Sequence, residues 1–136
     1  MTARSFADTN VVVYTLDADT NKRHAAISVM RAHPVISVQV INEFLSVATG
    51  KMKLPRTTAN RLAQILMKRC EVFDLTVEVV RHAISLGERH QLSHWDALIV
   101  ASALHAGCDT LYSEDLQDGQ MFEDRLKVNN PFATGR

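Results

Sequence analysis

Arg4-Ser5-Phe6-Ala7-Asp8-Thr9-Asn10-Val11-Val12-Val13-Tyr14 is the stretch on which the fold turns. Residues 4–8 read as a short strand ending in Asp8-Thr9-Asn10, after which Val11, Val12, Tyr14 and Thr15 begin a helical pattern. The alternation repeats outward. Ala26, Ile27 and Met30 recur at helical spacing within residues 22–33, and Pro34 stops that helix before a strand over 35–38. Residues 39–49 are amphipathic, 50–55 form a loop, and Thr57 or Thr58 caps a helix running to about Cys70. A strand over 72–75, a helix over 76–90, and a helix opened by Ser93-His94-Trp95-Asp96 and ended by Gly107 follow. Residues 110–113 and 126–128 supply the last strands. Short strands alternating with helices, without hairpin signals, predict an α/β fold with a central parallel sheet covered on both faces. Sites in such sheets form beyond the carboxyl ends of the strands.

The chain has 136 residues, 46% hydrophobic and 22% charged, which fits one domain over 1–136 and excludes a disordered or low-complexity protein. Its longest apolar runs, such as Val11-Val12-Val13-Tyr14, fall far short of the ~20 residues that cross a bilayer. Residues 1–8 lack an apolar signal region, so no membrane association and a cytoplasmic location are expected. Cys70 and Cys108 form no Cys-x-x-Cys pair and read as small buried hydrophobes.

The formal charge of zero is a cancellation. Residues 1–68 hold 9 basic and 4 acidic side chains, whereas residues 69–136 hold 6 and 11. No acid lies between Glu43 and Glu71, yet Lys51, Lys53, Arg56, Arg61, Lys68 and Arg69 do. That run is either a solvated face or a contact for a phosphate backbone, with Lys51, Lys53, Arg56 and Arg61 as the RNA-binding candidates.

Asp8 ends the first strand and Asp115 lies just beyond the strand over 110–113, so both point to one edge of the sheet. Glu43 borders the apolar face marked by Val40 and Val47, and Asp96 lies in the first turn of its helix. If these four carboxylates converge, their repulsion disfavours full ionisation unless cations lie between them. Mg²⁺ or Mn²⁺ suits oxygen ligands, and Mg²⁺ shares few carboxylates with water and substrate phosphate. Taken singly, Asp96 reads as a charge favouring a helix N-terminus, Asp8-Thr9-Asn10 as a turn with a helix cap, and Glu43 as a helix-edge residue. Trp95 reads as core or helix-staple packing, with base stacking the alternative that its place beside Asp96 offers, and His94 as a polar residue of the first helical turn.

Asp8-Thr9-Asn10-Val11-Val12-Val13-Tyr14, Asn42-Glu43-Phe44, Trp95-Asp96-Ala97-Leu98-Ile99 and Leu111-Tyr112-Ser113-Glu114-Asp115, in this order on a chain of this length, resemble the PIN-domain ribonucleases. Within that family they are similar to the VapC-like toxins of bacterial toxin–antitoxin pairs. The resemblance implies a PIN-like three-layer α/β/α sandwich and an Mg²⁺-dependent endoribonuclease using metal-activated water. Asp8, Glu43 and Asp96 take the family's three principal acidic positions and Asp115 its fourth, as both catalytic and metal-binding residues. Glu114 and Asp118 compete with Asp115 for that fourth role, and Thr9, Asn10 and Ser113 match polar positions that orient the acids. A VapB-like antitoxin and a homodimer are implied as partners, beside an RNA substrate. The alternatives are a PIN nuclease that is not a toxin and a non-catalytic RNA-binding module. A receiver-like phosphoacceptor fits poorly, because after Lys68 the only lysine is Lys127. A haloacid-dehalogenase-type site would want Asp-x-Asp where Asp8-Thr9-Asn10 stands.

Overall fold

The computed structural model describes residues 3–133, so the ends of the expected 1–136 domain lie outside the described residues. The elements in chain order are β1 (Ser5–Ala7), α1 (Thr9–Tyr14), α2 (Thr20–Met30), β2 (Ile36–Ser37), α3 (Val38–Thr49) and α4 (Arg56–Arg69). They continue with β3 (Val72–Phe73), α5 (Val77–His90), α6 (His94–His105), β4 (Thr110–Tyr112), β5 (Met121–Phe122) and β6 (Leu126–Asn129).

Phe6 and Ala7 are fully buried, as a strand covered on both faces requires, and β1 pairs in parallel with β4. Beyond it, β4 pairs in parallel with β6, and β5 closes that edge antiparallel to β6. On the other side a parallel bridge from Phe6 to Val35 leads to β2, which pairs in parallel with β3. The fold is therefore α/β, a mostly parallel sheet flanked by helices. Its most enclosed helix is α6, where every residue from Ala97 to Leu104 is buried; α5 packs against it, while α3 packs against α1 and α4. Leu16, Ile27, Met30, Phe44 and Ile65 line an apolar groove on another side of the molecule. Among the described residues, no helix is long and apolar enough to cross a membrane.

Three local readings change. A hairpin exists where none was expected: β5 turns into β6 through Glu123 and Asp124, both at positive φ (52° and 53°), with the Arg125 N–H donating to the Phe122 carbonyl at 3.1 Å. That backbone favours Asn-Gly, so Glu-Asp gives no signal of it. The helix over 56–69 is not capped by Thr57 or Thr58. Pro55 occupies the N-cap position, and α4 starts one residue later without any side-chain cap. Strand β2 ends at Ser37 because the Ser37 hydroxyl caps α3, accepting from the Val40 N–H at 3.4 Å. Ser93 and Gly107 act as expected, Ser93 as the N-cap and Gly107 at φ +75° just past the end of α6, while Thr76, at the start of the helix expected over 76–90, is the N-cap of α5.

The unexpected turn is tied down by charge. Glu123 Oε2 accepts from His82 Nε2 at 2.6 Å and from Arg89 at 3.3 Å, and His82 Nδ1 lies 2.9 Å from His105 Nε2. A carboxylate only accepts, so His82 carries the proton on Nε2. The His82 bond first, then Arg89, hold the Glu123 carboxyl below its ordinary value against the opposing effect of burial. A lowered folded pKa contributes stability above the ordinary glutamate range, and that contribution is lost as pH falls through the folded value. Glu123→Gln should therefore cost about 1 kcal/mol at neutral pH and little in acid, as measured by urea unfolding. An equal cost at both pH values would overturn this account.

Candidate active site

The site begins with register. Ala7 pairs with Tyr112 across β1 and β4, so the next residues, Asp8 and Ser113, emerge side by side at the carboxyl edge of the sheet. Asp8 is 4% exposed and caps α1. Its Oδ1 accepts from the Thr9 N–H at 2.7 Å, and its Oδ2 accepts from Ser113 Oγ at 2.8 Å and Asn10 Nδ2 at 3.4 Å. All these donors are neutral. Burial pushes the Asp8 carboxyl up to about 7, with the negative charges of Asp115 and Glu43 adding to the effect and the Ser113 and Thr9 hydrogen bonds opposing it.

The neighbouring acids are fixed by the same polar frame. Asn10 Nδ2 donates to Asp115 Oδ2 at 3.2 Å, and Asn10 Oδ1 accepts from the Glu114 N–H at 3.2 Å. Ser113 Oγ accepts from the Asp115 N–H at 3.1 Å while donating to Asp8, so one hydroxyl positions both carboxylate-bearing segments. From α3, Glu43 Oε1 accepts from Thr9 Oγ1 at 2.6 Å and Oε2 from Gln39 Nε2 at 3.4 Å. Gln39 Nε2 also donates to the Trp95 carbonyl at 3.2 Å, joining α3 to the first turn of α6. There the Ser93 hydroxyl accepts from the Asp96 N–H at 3.1 Å. The Asp96 carboxyl is raised by burial, then by Asp115 and Glu43, against the lowering effect of Ser93.

Asp8, Glu43, Asp96 and Asp115 line one cavity of about 580 Å³, together with Thr9 and Asn10. Among the described residues, no three His, Cys, Asp or Glu side chains come close enough to form a metal cage. The donor set nevertheless fits a hard divalent cation. Its acids offer only oxygen, and Mg²⁺ retains several waters and takes one or two carboxylates directly. Gln39 Oε1, buried at the same cavity, has no hydrogen-bond partner and is one more oxygen acceptor.

The PIN domain sequence profile matches residues 5–117, a span that contains all four acids. The chain belongs to the PIN-domain family. Structural comparison points the same way, at identities that speak to fold alone. The PIN domain is similar to a chain of a toxin–antitoxin complex from Klebsiella pneumoniae, with a TM-score of 0.72 and 18% identity, covering 94% of this chain and 98% of that one. It is also similar to a sarcin–ricin-loop-cleaving VapC toxin from Mycobacterium tuberculosis, with a TM-score of 0.67 and 19% identity over 82% and 89% of the two chains. A third neighbour is the FitAcB structure from Neisseria gonorrhoeae, with a TM-score of 0.65 and 22% identity over 93% and 97%. Comparison with curated proteins gives no significant match.

Within the PIN domain the remaining candidates separate clearly. Thr9 bonds both Asp8 and Glu43, Asn10 both Asp8 and Asp115, and Ser113 both the Asp8 carboxylate and the Asp115 N–H. Glu114 lines the cavity, but its carboxylate is engaged by the Tyr14 hydroxyl at 2.6 Å and Lys22 at 3.7 Å. Asp118 accepts from the Asn130 N–H at 2.8 Å and does not line the cavity. Of the three acids between β4 and β5, Asp115 is the one whose carboxylate accepts from the same Asn10 amide as Asp8; Glu114 meets Asn10 through its backbone N–H. Among the basic candidates, Lys51 reaches the cavity rim, and Arg56 lines a separate shallow depression with Ser46 and Asn60. Lys53 and Arg61 are exposed and line neither. Trp95 is not packing: it is 63% exposed and lines the cavity. Sequence reasoning missed Gln39 and Tyr14. Gln39 stands four residues before Glu43 on one helix, an i,i+4 relation that could have found it.

Proposed function

We propose that this PIN domain, read as a single domain over 1–136, is an Mg²⁺-dependent endoribonuclease and the toxin of a VapBC-type toxin–antitoxin pair, cleaving structured RNA. One observation carries the reading: a buried Asp8 carboxylate, hydrogen-bonded by neutral donors alone, shares a cavity with Glu43, Asp96 and Asp115. That is an arrangement in want of positive charge. Asp8 and Asp96 are the principal ligands, with Glu43 and Asp115 completing the set; Mn²⁺ would serve in place of Mg²⁺. When bound, the cation supplies a more acidic water nucleophile and neutralises charge developing on the phosphate.

The chain's own residues supply placement. Ser113 and the Thr9 N–H hold Asp8 in one rotamer, Thr9 Oγ1 and Gln39 hold Glu43, and Asn10 holds Asp115. Carboxylates fixed in this way need no rearrangement when phosphate enters. Lys51 at the rim meets the phosphate backbone, and Lys53, Arg56 and Arg61 extend that contact along the strand. The proposed setting is cytoplasmic, with the toxin a homodimer and a VapB-like antitoxin as its partner. The toxin–antitoxin complexes among the structural neighbours support that last reading.

The test is purified protein, freed of any partner, incubated with total RNA in Mg²⁺, in EDTA, and as the Asp8→Asn, Asp96→Asn double variant. Cleavage is expected in Mg²⁺ alone. Cleavage by the double variant would sink the mechanism, and RNA binding without cleavage would establish a non-catalytic module. Gln39→Leu should cut cleavage about tenfold, by freeing Glu43. It should change stability by less than about 1 kcal/mol, because the orphan acceptor leaves with the lost donor. A large loss of melting temperature would make Gln39 a core residue instead.

A further inference from the structure

We propose that Trp95 is a stacking platform for an unpaired nucleobase of the RNA strand whose phosphate enters the acidic cavity. The proposal rests on the ribonuclease reading above and adds what kind of RNA the site takes. Trp95 is the chain's only tryptophan, is 63% exposed, and lines the same cavity as the four acids. An indole left this open gains little from folding, since more than half of its surface remains in water.

Its backbone, by contrast, is held firmly. Trp95 lies in the first turn of α6, where Ser93 caps the helix, and its carbonyl accepts from the buried Gln39 side chain at 3.2 Å. The His94 ring meets it edge-on, with centroids 5.7 Å apart and planes at 66°. The adjacent residue is Asp96, so a base resting on Trp95 belongs to a nucleotide beside the phosphate at the carboxylates. The acidic cavity also creates a need for such a contact. Four carboxylates repel a polyanion on every side except where a cation lies, and stacking is an attraction that charge does not oppose. Stacking accepts any base but requires its face to be free, which duplex RNA does not offer. The structure thus points to single-stranded or looped RNA.

The lone tryptophan is its own reporter. Intact protein, with Ca²⁺ replacing Mg²⁺ to screen the cavity, is titrated with a short single-stranded oligoribonucleotide, an abasic oligomer of equal length, and a duplex of the same sequence. Intrinsic fluorescence should be quenched by the single strand and not by the other two. Trp95→Leu should weaken single-strand binding about tenfold or more, Trp95→Phe by no more than about threefold, and neither should alter affinity for the abasic oligomer. Equal affinity and quenching with intact and abasic oligomers would overturn the stacking role while leaving the ribonuclease reading intact. Failure of every oligomer to bind would overturn both. If Trp95→Leu binds RNA normally but loses association with a partner chain, the indole belongs to a protein interface, and the proposal fails.

Discussion

Asp8→Asn should abolish RNA cleavage and yet give a more stable protein than the wild type whenever divalent cations are removed. Asparagine keeps the geometry. Its Oδ1 accepts the Thr9 N–H as a helix cap as well as aspartate does, and Ser113 can turn its hydroxyl to accept from the new amide. What disappears is a buried negative charge facing Glu43 and Asp115. Moving a carboxyl from 3.8 to about 7 corresponds to about 4 kcal/mol that the ionised form withholds from folding. Asparagine forfeits part of that gain at the 3.4 Å contact with Asn10 Nδ2, where two amide donors now meet, and at the buried Ser113 hydroxyl, whose proton loses its acceptor, leaving about 1 kcal/mol.

The sign is explicit. A folded pKa raised above the unfolded value contributes stability that is complete below the ordinary aspartate range and lost as pH rises through about 7. Metal-free wild type should therefore weaken as pH rises from the ordinary aspartate range to about 7 and change little above it, and Asp8→Asn should flatten that slope. Adding Mg²⁺ should reverse the ranking's cause. Cation binding to the folded state at 100 times its Kd is worth about 2.7 kcal/mol, gained by the wild type and not by the variant. Cleavage should fall at least about a thousandfold. Unfolding curves in EDTA and in Mg²⁺ check both halves. A variant less stable than wild type in EDTA would show Asp8 to be a structural cap with no role for a cation.

What the sequence made legible was whatever depends on local pattern or on register. The strand-to-helix passage at Asp8-Thr9-Asn10 is local, and the Ser93 cap announces itself by residue type. The meeting of Asp8 with Ser113 follows from two parallel strands ending together, so it was reachable once both strands were placed. The hairpin at Glu123-Asp124 was not, because Glu-Asp is not a residue pair that signals such a turn and its partners His82 and Arg89 come from another element. Nor could sequence separate Asp115 from Glu114. That distinction is made by Tyr14 and Lys22, which engage Glu114, and by Asn10, which engages Asp115. Trp95 was misread for a related reason: aromatic residues beside a helix start are usually buried, and whether one is depends on what covers it.

Asp96 and Ser93 offer the cleanest separation of chemistry from architecture, because they stand three residues apart at one helix start. The cap of α6 is the Ser93 hydroxyl, which accepts the Asp96 N–H. Ser93→Ala should accordingly cost about 1 kcal/mol of stability, since an orphan N–H remains in the first turn. It should leave cleavage within about tenfold of wild type, because Asp96 keeps its place on the helix and loses only the Ser93 hydroxyl that favours its ionised form. Asp96→Asn should do the reverse. Its carboxyl is raised by burial and by the charges of Asp115 and Glu43, so removing the charge relieves repulsion and leaves metal-free stability unchanged or improved. Cleavage should nonetheless drop at least about a hundredfold, and the Mg²⁺ concentration needed for half-maximal stabilisation should rise. Thermal melts of both variants in EDTA and in Mg²⁺, alongside RNA cleavage, give four outcomes from two substitutions. A clear loss of melting temperature for Asp96→Asn in EDTA, matching that of Ser93→Ala, would assign the carboxylate to the helix and remove it from the catalytic set. Retained melting with lost Mg²⁺ response would tie Asp96 to the cation and leave the capping to Ser93 alone.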